Sequence, residues 1–301
     1  MNETLLVVGY GSLLSGHGLL TVRRNGKSRL MASQAFPLLL RNARRGLAKP
    51  TSHGQYLAMD LEPIDRLQPI SGRQGFGPAN GAELGALGLL FERRWAPELA
   101  RREEYDPDKF VQLIALADRA EQPVGEFLLE IARRTDFDLL AYRRALAELL
   151  GYTSPGYIFH PLPLDDGRVA LVAIASGFDG SGDPGVASRR RQAGIERLMT
   201  LPEALAATNI KIDPAGQIGY FVECLLGGAH GLWVRDLLDG LDDARGACAV
   251  VANLMAEALT AEREHFLHAT SLSDADYRAV FGTLEHSGLE RLLPRATGQG
   301  A

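Results

Sequence analysis

The segment LLVVGYGSLLSG, residues 5–16, contains residue types that suit the binding of a ligand. Four aliphatic residues run directly into GYGS, residues 9–12, a pattern typical of a buried strand that ends in a tight loop. Its two glycines can bring main-chain N–H groups close to a ligand, although glycines serve equally well in turns that bind nothing. Both interpretations are open from these residues alone.

Nucleotide-binding motifs do not account for this loop. Gly9 and Gly11 begin a G-x-G-x-x-G pattern, but Leu14 stands where its third glycine is required, and no G-x-x-x-x-G-K-[ST] segment occurs. A serine hydrolase is not indicated either. The chain has no G-x-S-x-G elbow, and the sequence shows no histidine and aspartate partners for Ser12.

The second candidate for chemistry is the pair of adjacent carboxylates Glu103 and Glu104, in the segment RREEY. A carboxyl group in a partly dry pocket has a raised pKa and can act as a general base near neutral pH. A solvated helix end is the alternative, since most glutamates are exposed. Adjacent side chains point about 100° apart on a helix, so only one of the two can face a small pocket well.

Metal sites are not indicated by the spacing of the possible ligands. His265 and His268 lie three residues apart on a predicted helix, but the segment is not H-E-x-x-H and no third ligand is evident. The segment DGSGDPG begins like a calcium loop, yet Pro184 replaces the required glycine and Arg190 the bidentate glutamate. We therefore predict that the protein needs no metal and no cofactor.

Composition limits the partners and the compartment. A net charge of −5 and a pI of about 5.8 give no strong basic field, so we expect neither nucleic acid nor membrane as a partner. Two cysteines in 301 residues do not form a disulfide framework and fit a reducing compartment. Without a basic signal start or a run of ~20 apolar residues, the sequence predicts a cytoplasmic protein. It does not indicate the oligomeric state.

Hydrophobic patterning predicts strands early in the chain and helices later, which is typical of an α+β fold. The predicted strands are 4–8, 56–61, 86–92, 109–117 and 167–177. A helix pair is predicted over 123–151, two short helices broken at Gly227-Gly228 over 219–241, and further helices from 244 onwards. Residues 71–85, rich in glycine, are expected to be a loop, and 28–48 fit no single pattern.

In this order the segments resemble the γ-glutamylcyclotransferase-like family. The matching residues are Tyr10-Gly11-Ser12-Leu13, Gly88-Leu89-Leu90-Phe91, Leu99, Arg102-Glu103-Glu104-Tyr105, the predicted strand Phe110–Leu116, and Tyr220 with the later turn GGAHGL. The resemblance covers roughly residues 5–116 and 169–241. It implies a small mixed β-barrel with flanking helices over residues 1–243, with a helical insertion at about 118–160. Residues 244–301 would be a helical C-terminal extension.

The resemblance also implies an activity and a site. The family's members convert a γ-glutamyl amine, amino acid or peptide to 5-oxoproline and the free amine, without a cofactor. Glu103 would be the general acid and base, and the glutamyl end would be held by Tyr10, Gly11, Ser12, Leu13 and Tyr220. The family usually has a glycine between the acid and the following tyrosine, and this chain has none before Tyr105. The choice between Glu103 and Glu104 therefore stays open, with Arg102-Glu103 the better match.

Two other functions are compatible with the same fold and pocket. One is a non-catalytic module that binds a ligand or regulates a partner, with the insertion and the tail as partner surfaces. The other is an amide hydrolase or acyltransferase that uses the pocket on a different amide. Release of 5-oxoproline by the purified protein would distinguish the cyclotransferase from the non-catalytic module.

Overall fold

The computed structural model describes residues 4–20, 31–51, 55–63, 71–74, 83–103, 105–151, 158–174, 184–207, 209–241 and 245–293. Within these ranges the chain has a mixed α+β structure, so the predicted fold class is confirmed. The strands are β1 Thr4–Gly9, β2 Ala32–Arg41, β3 Ala43–Pro50, β4 Leu57–Pro63, β5 Ser71–Gln74, β6 Glu83–Glu92, β7 Ile158–Pro163 and β8 Val169–Ile174.

The helices surround these strands. They are α1 Gly16–Leu20, α2 Ala96–Arg102, α3 Pro107–Arg119, α4 Val124–Arg134, α5 Leu139–Leu149, α6 Pro184–Ala193, α7 Leu201–Ala206, α8 Pro214–Leu225, α9 Arg235–Asp239, α10 Arg245–Thr270 and α11 Asp274–Val280. Short 3₁₀ turns occupy Ser12–Leu14, Arg93–Trp95, Leu226–His230, Leu284–His286 and Leu289–Arg291. No helix within the described ranges is both long enough and apolar enough to cross a membrane.

A mixed sheet with strand order β5-β2-β6-β1-β8-β7 forms the centre of the molecule, and β3 and β4 form a separate antiparallel hairpin. Strand β1 pairs antiparallel with β6 and parallel with β8. Alternate side chains of β1 pack into two different hydrophobic cores, because successive side chains point to opposite faces of a strand. Leu5 and Val7 pack in the core with α3 and α5, whereas Leu6 and Val8 pack in the core with the hairpin and α8.

Strand pairing among the described residues does not close this sheet into a barrel. Strands β5 and β7 form its two edges and lie in contact with each other, but no ladder of hydrogen bonds joins their described residues. The hairpin is in contact with β6 and β8. The sheet therefore curls until its edges meet.

The prediction of a strand over residues 109–117 is wrong, because this segment lies in helix α3. Asp106 caps the helix by accepting hydrogen bonds from the N–H groups of Asp108 at 2.9 Å and Lys109 at 3.4 Å, and Pro107 occupies the first turn. The buried residues are Phe110, Leu113, Ile114 and Ala117, which is a helical spacing. The strand that the resemblance places after Tyr105 is therefore absent there, and the next described strand is β7.

The other predicted elements mostly agree with the structure. The strands over 4–8, 56–61, 86–92 and 167–177 correspond to β1, β4, β6 and β8, and the helix pair over 123–151 corresponds to α4 and α5. The predicted loop over 71–85 contains β5 and the start of β6. The segment that fitted no pattern contains β2 and β3. The glycines at 227 and 228 lie in the 3₁₀ turn that separates α8 from α9, as expected.

Candidate functional site

The loop of residues 10–14, which we call the opening loop, begins at the end of β1. The Tyr10 side chain is buried, and its hydroxyl donates to the Ala173 carbonyl oxygen of β8 at 2.5 Å. This phenol therefore joins the two parallel strands. The structure gives the Tyr10 side chain a role in the fold, and it leaves the main chain of the following residues as the part of the loop suited to a ligand.

The shape of the opening loop leaves main-chain donors without an acceptor inside the loop. Gly11 precedes the 3₁₀ turn Ser12–Leu14, and the Leu14 N–H group donates to the Gly11 carbonyl oxygen at 3.0 Å. The first N–H groups of such a turn have no internal acceptor. Within the described ranges, those of Ser12 and Leu13 have no hydrogen-bond partner. Two adjacent donors at a strand end suit a carboxylate or an oxyanion.

Gly11 is required by close packing against two other elements. A Cβ atom at this position would lie 3.1 Å from the Met59 Cβ atom of β4 and 3.1 Å from the Tyr220 hydroxyl oxygen of α8. Both distances are tighter than ordinary van der Waals contact. The structure thus brings Gly11 and Tyr220 close together.

Tyr220 is held by hydrogen bonds and by stacking. Its hydroxyl oxygen accepts from the Met59 N–H group at 2.9 Å, and its ring stacks on Tyr56 with centroids 4.9 Å apart. Burial, followed by the neighbouring Cys224, raises the pKa of Tyr220 well above 10, so the hydroxyl keeps its proton. Burial likewise raises the pKa of Cys224 to about 12, which makes this thiol unreactive.

Arg102 connects the predicted acid to the opening loop. Helix α2 ends at Arg102, whose Nη2 donates to the Ser12 Oγ atom at 2.9 Å and whose Nε lies 3.8 Å from the Glu103 Oε1 atom. The Glu103 side chain is 18% exposed, so it is not a solvated helix end. Glu104 lies outside the described residues.

Lys49 was not identified from the sequence, although it lies beside Glu103. This lysine of β3 is 5% exposed, and its Nζ atom lies 3.5 Å from the Glu103 carbonyl oxygen. A buried ammonium group attracts carboxylates, including that of an amino-acid ligand. No sequence motif indicated that Lys49 is buried, because the segment that forms β3 fitted no single secondary-structure pattern. We refer to Gly11, Ser12, Lys49, Glu103 and Tyr220 as the candidate site.

A buried arginine fixes the base of the opening loop. The Arg45 guanidinium group is fully buried and donates to the carbonyl oxygens of Tyr10 at 3.1 Å, Gly85 at 2.8 Å and Trp233 at 3.3 Å. It also forms two 2.7 Å bonds to the Asp236 carboxylate, a bidentate geometry. One side chain thus ties the loop to the hairpin, to β6 and to the segment at the start of α9.

Arg190, in the segment RRR of residues 189–191, is also buried. Its Nε donates to the Ala48 carbonyl oxygen at 2.8 Å, and its guanidinium group pairs with the fully buried Asp60. Asp60 follows Met59 in β4. The ion pair therefore attaches α6 to the hairpin that packs against Gly11.

The start of the former calcium-loop candidate, residues 179–183, lies outside the described residues.

The two histidines of α10 do not form a metal centre with other described residues. His265 is half-buried with its ring centroid 5.9 Å from that of His17, and His268 is exposed. In the part of the chain that the structure describes, no group of three or more histidine, cysteine, aspartate and glutamate side chains could hold a metal ion.

A cavity of about 370 Å³ lies on the other face of β1, between β1, β8, α3 and α4. Its lining includes Leu5, Arg93, Asp118 and Gln122, but none of the candidate-site residues. Arg93 and Asp118 pair with each other there. The cavity therefore does not account for the arrangement around Gly11.

Comparisons of the chain with protein-family models, with curated proteins and with solved structures gave no match. The γ-glutamylcyclotransferase-like assignment accordingly rests on the residues quoted from the sequence and on the geometry around Gly11, and it remains a prediction.

Proposed function

We propose that the protein is a cyclotransferase that converts a γ-glutamyl amine, amino acid or peptide to 5-oxoproline and the free amine. One observation carries this proposal. Among the described residues the N–H groups of Ser12 and Leu13 in the opening loop have no partner, Gly11 of the same loop packs against Tyr220, and Arg102 joins its Ser12 to the mostly buried Glu103.

The reaction needs a folded substrate and a proton acceptor. The α-amino group of the glutamyl unit attacks its own γ-carbonyl carbon, so ring closure is unimolecular and the protein has to hold the attacking conformer. An ammonium group cannot attack, and Glu103 would accept its proton. The same carboxyl group would then return the proton to the departing nitrogen as the C–N bond breaks.

Charge on the substrate would be met by the remaining groups of the candidate site. The Ser12 and Leu13 N–H groups are suited to the developing oxyanion or to the α-carboxylate, because main-chain donors need no side-chain ordering. Lys49 places a buried positive charge beside the main chain of Glu103. Tyr220, which keeps its proton, would line the glutamyl end.

The finer fold assignment belongs to this proposal. A curled mixed sheet with β1 at its centre, followed directly by the glycine loop, supports a γ-glutamylcyclotransferase-like barrel. Helices α4 and α5 would then belong to the helical insertion at about 118–160, and α10 with α11 to the C-terminal extension. The helical course of residues 107–119 departs from the family pattern, as does the absence of a glycine before Tyr105.

The identity of the products tests the proposal against its alternatives. Purified protein would be incubated with γ-glutamyl amines, amino acids and peptides, and the products separated by chromatography. We expect 5-oxoproline and an equal amount of free amine. Free glutamate without 5-oxoproline would instead identify an amide hydrolase, and saturable binding of these compounds without any product would identify a non-catalytic module.

Gly11→Val is expected to raise the Kd of a γ-glutamyl ligand by more than tenfold. The free energy of unfolding should change by less than the free energy of binding. The valine Cβ atom alone would lie 3.1 Å from the Tyr220 hydroxyl oxygen, and its two methyl groups would crowd the loop further. Titration calorimetry and thermal unfolding would measure the two effects. Gly246→Val in α10 is the matched control, because a Cβ atom there meets nothing within 4 Å. Normal binding by the Gly11 variant would mean that the loop is only a turn.

Exhaustive chelation is expected to leave turnover unchanged, because the proposed proton transfers need only protein side chains. The measurement is the initial rate of 5-oxoproline release before and after treatment with EDTA and gel filtration. A loss of rate that Zn²⁺ or another divalent metal restores would contradict this expectation. Such a result would indicate that His265 and His268 bind a metal ion.

A further inference from the structure

Helix α1 begins directly after the opening loop and is capped by a side chain from the far end of the chain. The N–H groups of Gly16 and His17 donate to the Glu262 carboxylate at 2.5 and 3.2 Å. The local capping residue, Ser15, accepts instead from the Gly18 N–H group at 2.9 Å. Glu262 lies in α10, 246 residues after Gly16.

This carboxylate is itself held in place on its other side. Glu262 and His230 are fully buried, and the Glu262 Oε1 atom lies 2.9 Å from the His230 Nε2 atom. The His230 Nδ1 atom lies 2.9 Å from the Tyr277 hydroxyl oxygen. Since an ionised carboxylate only accepts hydrogen bonds, Nε2 donates to Glu262, and the hydrogen bond between Nδ1 and the Tyr277 hydroxyl holds the other side of the ring. Glu262 is therefore oriented by three N–H groups from two directions.

Close packing couples this cap to the candidate site. A Cβ atom at Gly16 would collide with the main-chain nitrogen of Phe266, so α1 lies directly on the backbone of α10. A Cβ atom at Gly18 would collide with the Ser12 carbonyl oxygen, so the opening loop lies directly on α1. Ser12 in turn accepts from Arg102. Contacts therefore run without interruption from Glu262 through α1 to Ser12, so a change at Glu262 can displace Ser12.

We propose that Glu262 is a positioning residue of the candidate site: it determines where the Ser12 and Leu13 N–H groups lie. The kinetic part of this inference rests on the proposed function, whereas its structural part does not. Helices α10 and α11, which carry Glu262 and Tyr277, are then a required support of the site and not an appended extension.

Glu262→Gln tests the kinetic part. The variant keeps the shape of the side chain and an acceptor for Gly16, but it places an NH₂ donor against one of the three N–H groups. We expect KM for the best γ-glutamyl substrate to rise about tenfold, the effect of losing a buried hydrogen bond, and kcat to fall by less. A variant that is only less stable would lose active protein at constant KM, and this outcome would overturn the proposal. Glu264→Gln, an exposed change on the same helix, should alter neither constant.

Amide hydrogen exchange tests the structural part without any assay of activity. In Glu262→Gln we expect exchange of the hydrogen-bonded amides of residues 14–17 to accelerate at least about tenfold, while β1 and the Glu264→Gln variant stay unchanged. Equal exchange of these amides in the variant and the wild type would overturn the proposal. If the wild type forms no 5-oxoproline, the proposed function fails and exchange alone decides this inference.

A second variant covers the case in which Glu262→Gln does not fold. Tyr277→Phe keeps the ring and removes only the hydroxyl group that orients His230. We expect the same amides, residues 14–17, to exchange faster than in the wild type, by a smaller factor than in Glu262→Gln. Unchanged exchange in a folded Tyr277→Phe variant would overturn the inference.

Discussion

Glu103→Gln is expected to lower turnover by at least ~100-fold, the low end for loss of a general base. The amide keeps the size of the carboxyl group and its place beside Arg102, so the fold and the binding of substrate should be affected little. Because a neutral amide cannot take the proton of the substrate's ammonium group, kcat should fall much more than KM changes. Initial rates of 5-oxoproline release over a range of substrate concentrations would separate the two constants.

Glu104→Gln is the matched control, since it makes the same chemical change one residue along. We expect this variant to lose less than about tenfold, because it leaves the proposed general base in place. If Glu104→Gln were the inactive variant, the proposed reaction would stand and the choice of Glu103 would be wrong. Full activity of both single variants would place the catalytic group elsewhere.

His160→Leu is expected to stabilise the protein and to remove a pH dependence of its stability. His160 lies in β7, is 3% exposed, and has no hydrogen-bond partner on either ring nitrogen within the described residues. A buried polar group without a partner destabilises a fold by about 1–3 kcal/mol, so an apolar residue of similar size should raise the free energy of unfolding at pH 7.

The pH dependence of the free energy of unfolding follows from the direction in which burial changes the pKa of His160. Burial lowers the pKa of His160 from 6.5 to about 4, so between these values the unfolded chain binds a proton that the folded chain does not. The free energy of unfolding of the wild type should therefore decrease as the pH falls from 6.5 to 4, by up to about 3 kcal/mol from this residue. Below pH 4 the histidine is protonated in both states and causes no further loss.

Urea denaturation at several pH values measures this contribution. The difference in unfolding free energy between His160→Leu and the wild type should grow as the pH is lowered from 7 to 4. His268→Gln, at an exposed position of α10, is the control and should show no such growth. A constant difference between His160→Leu and the wild type would mean that His160 takes up its proton in the folded protein.

Local sequence patterns predicted the elements that depend on neighbouring residues. The run Leu5–Val8 before a glycine loop correctly indicated β1. Gly11 and Tyr220, both predicted to hold the glutamyl end, lie close together in the structure. Residues 109–117 were misassigned because a short apolar run does not distinguish a strand from a helix. The signal that could have corrected this was Asp106-Pro107, a capping residue followed by proline at the first helical position.

Long-range partners could not be predicted from the sequence. Lys49, Arg190 and Glu262 are charged residues that local rules place on the surface, yet all three are buried. Each is retained in the interior by groups that come from distant parts of the chain, such as the Gly16 N–H group for Glu262. Pairings over such separations become visible only when the elements are assembled in three dimensions.

The bonds of Arg45 have a consequence for the order of events during synthesis of the chain. Its guanidinium group needs acceptors from Tyr10 and Gly85 in the first third of the chain and from Trp233 and Asp236, which lie 188 and 191 residues after Arg45. A buried arginine that lacks its carboxylate is strongly unfavourable. A nascent chain that ends before Asp236 therefore cannot complete the strand end that carries the opening loop. We expect the amino-terminal strands to stay incompletely packed on the ribosome and to depend on late, long-range closure, the slow type of folding step.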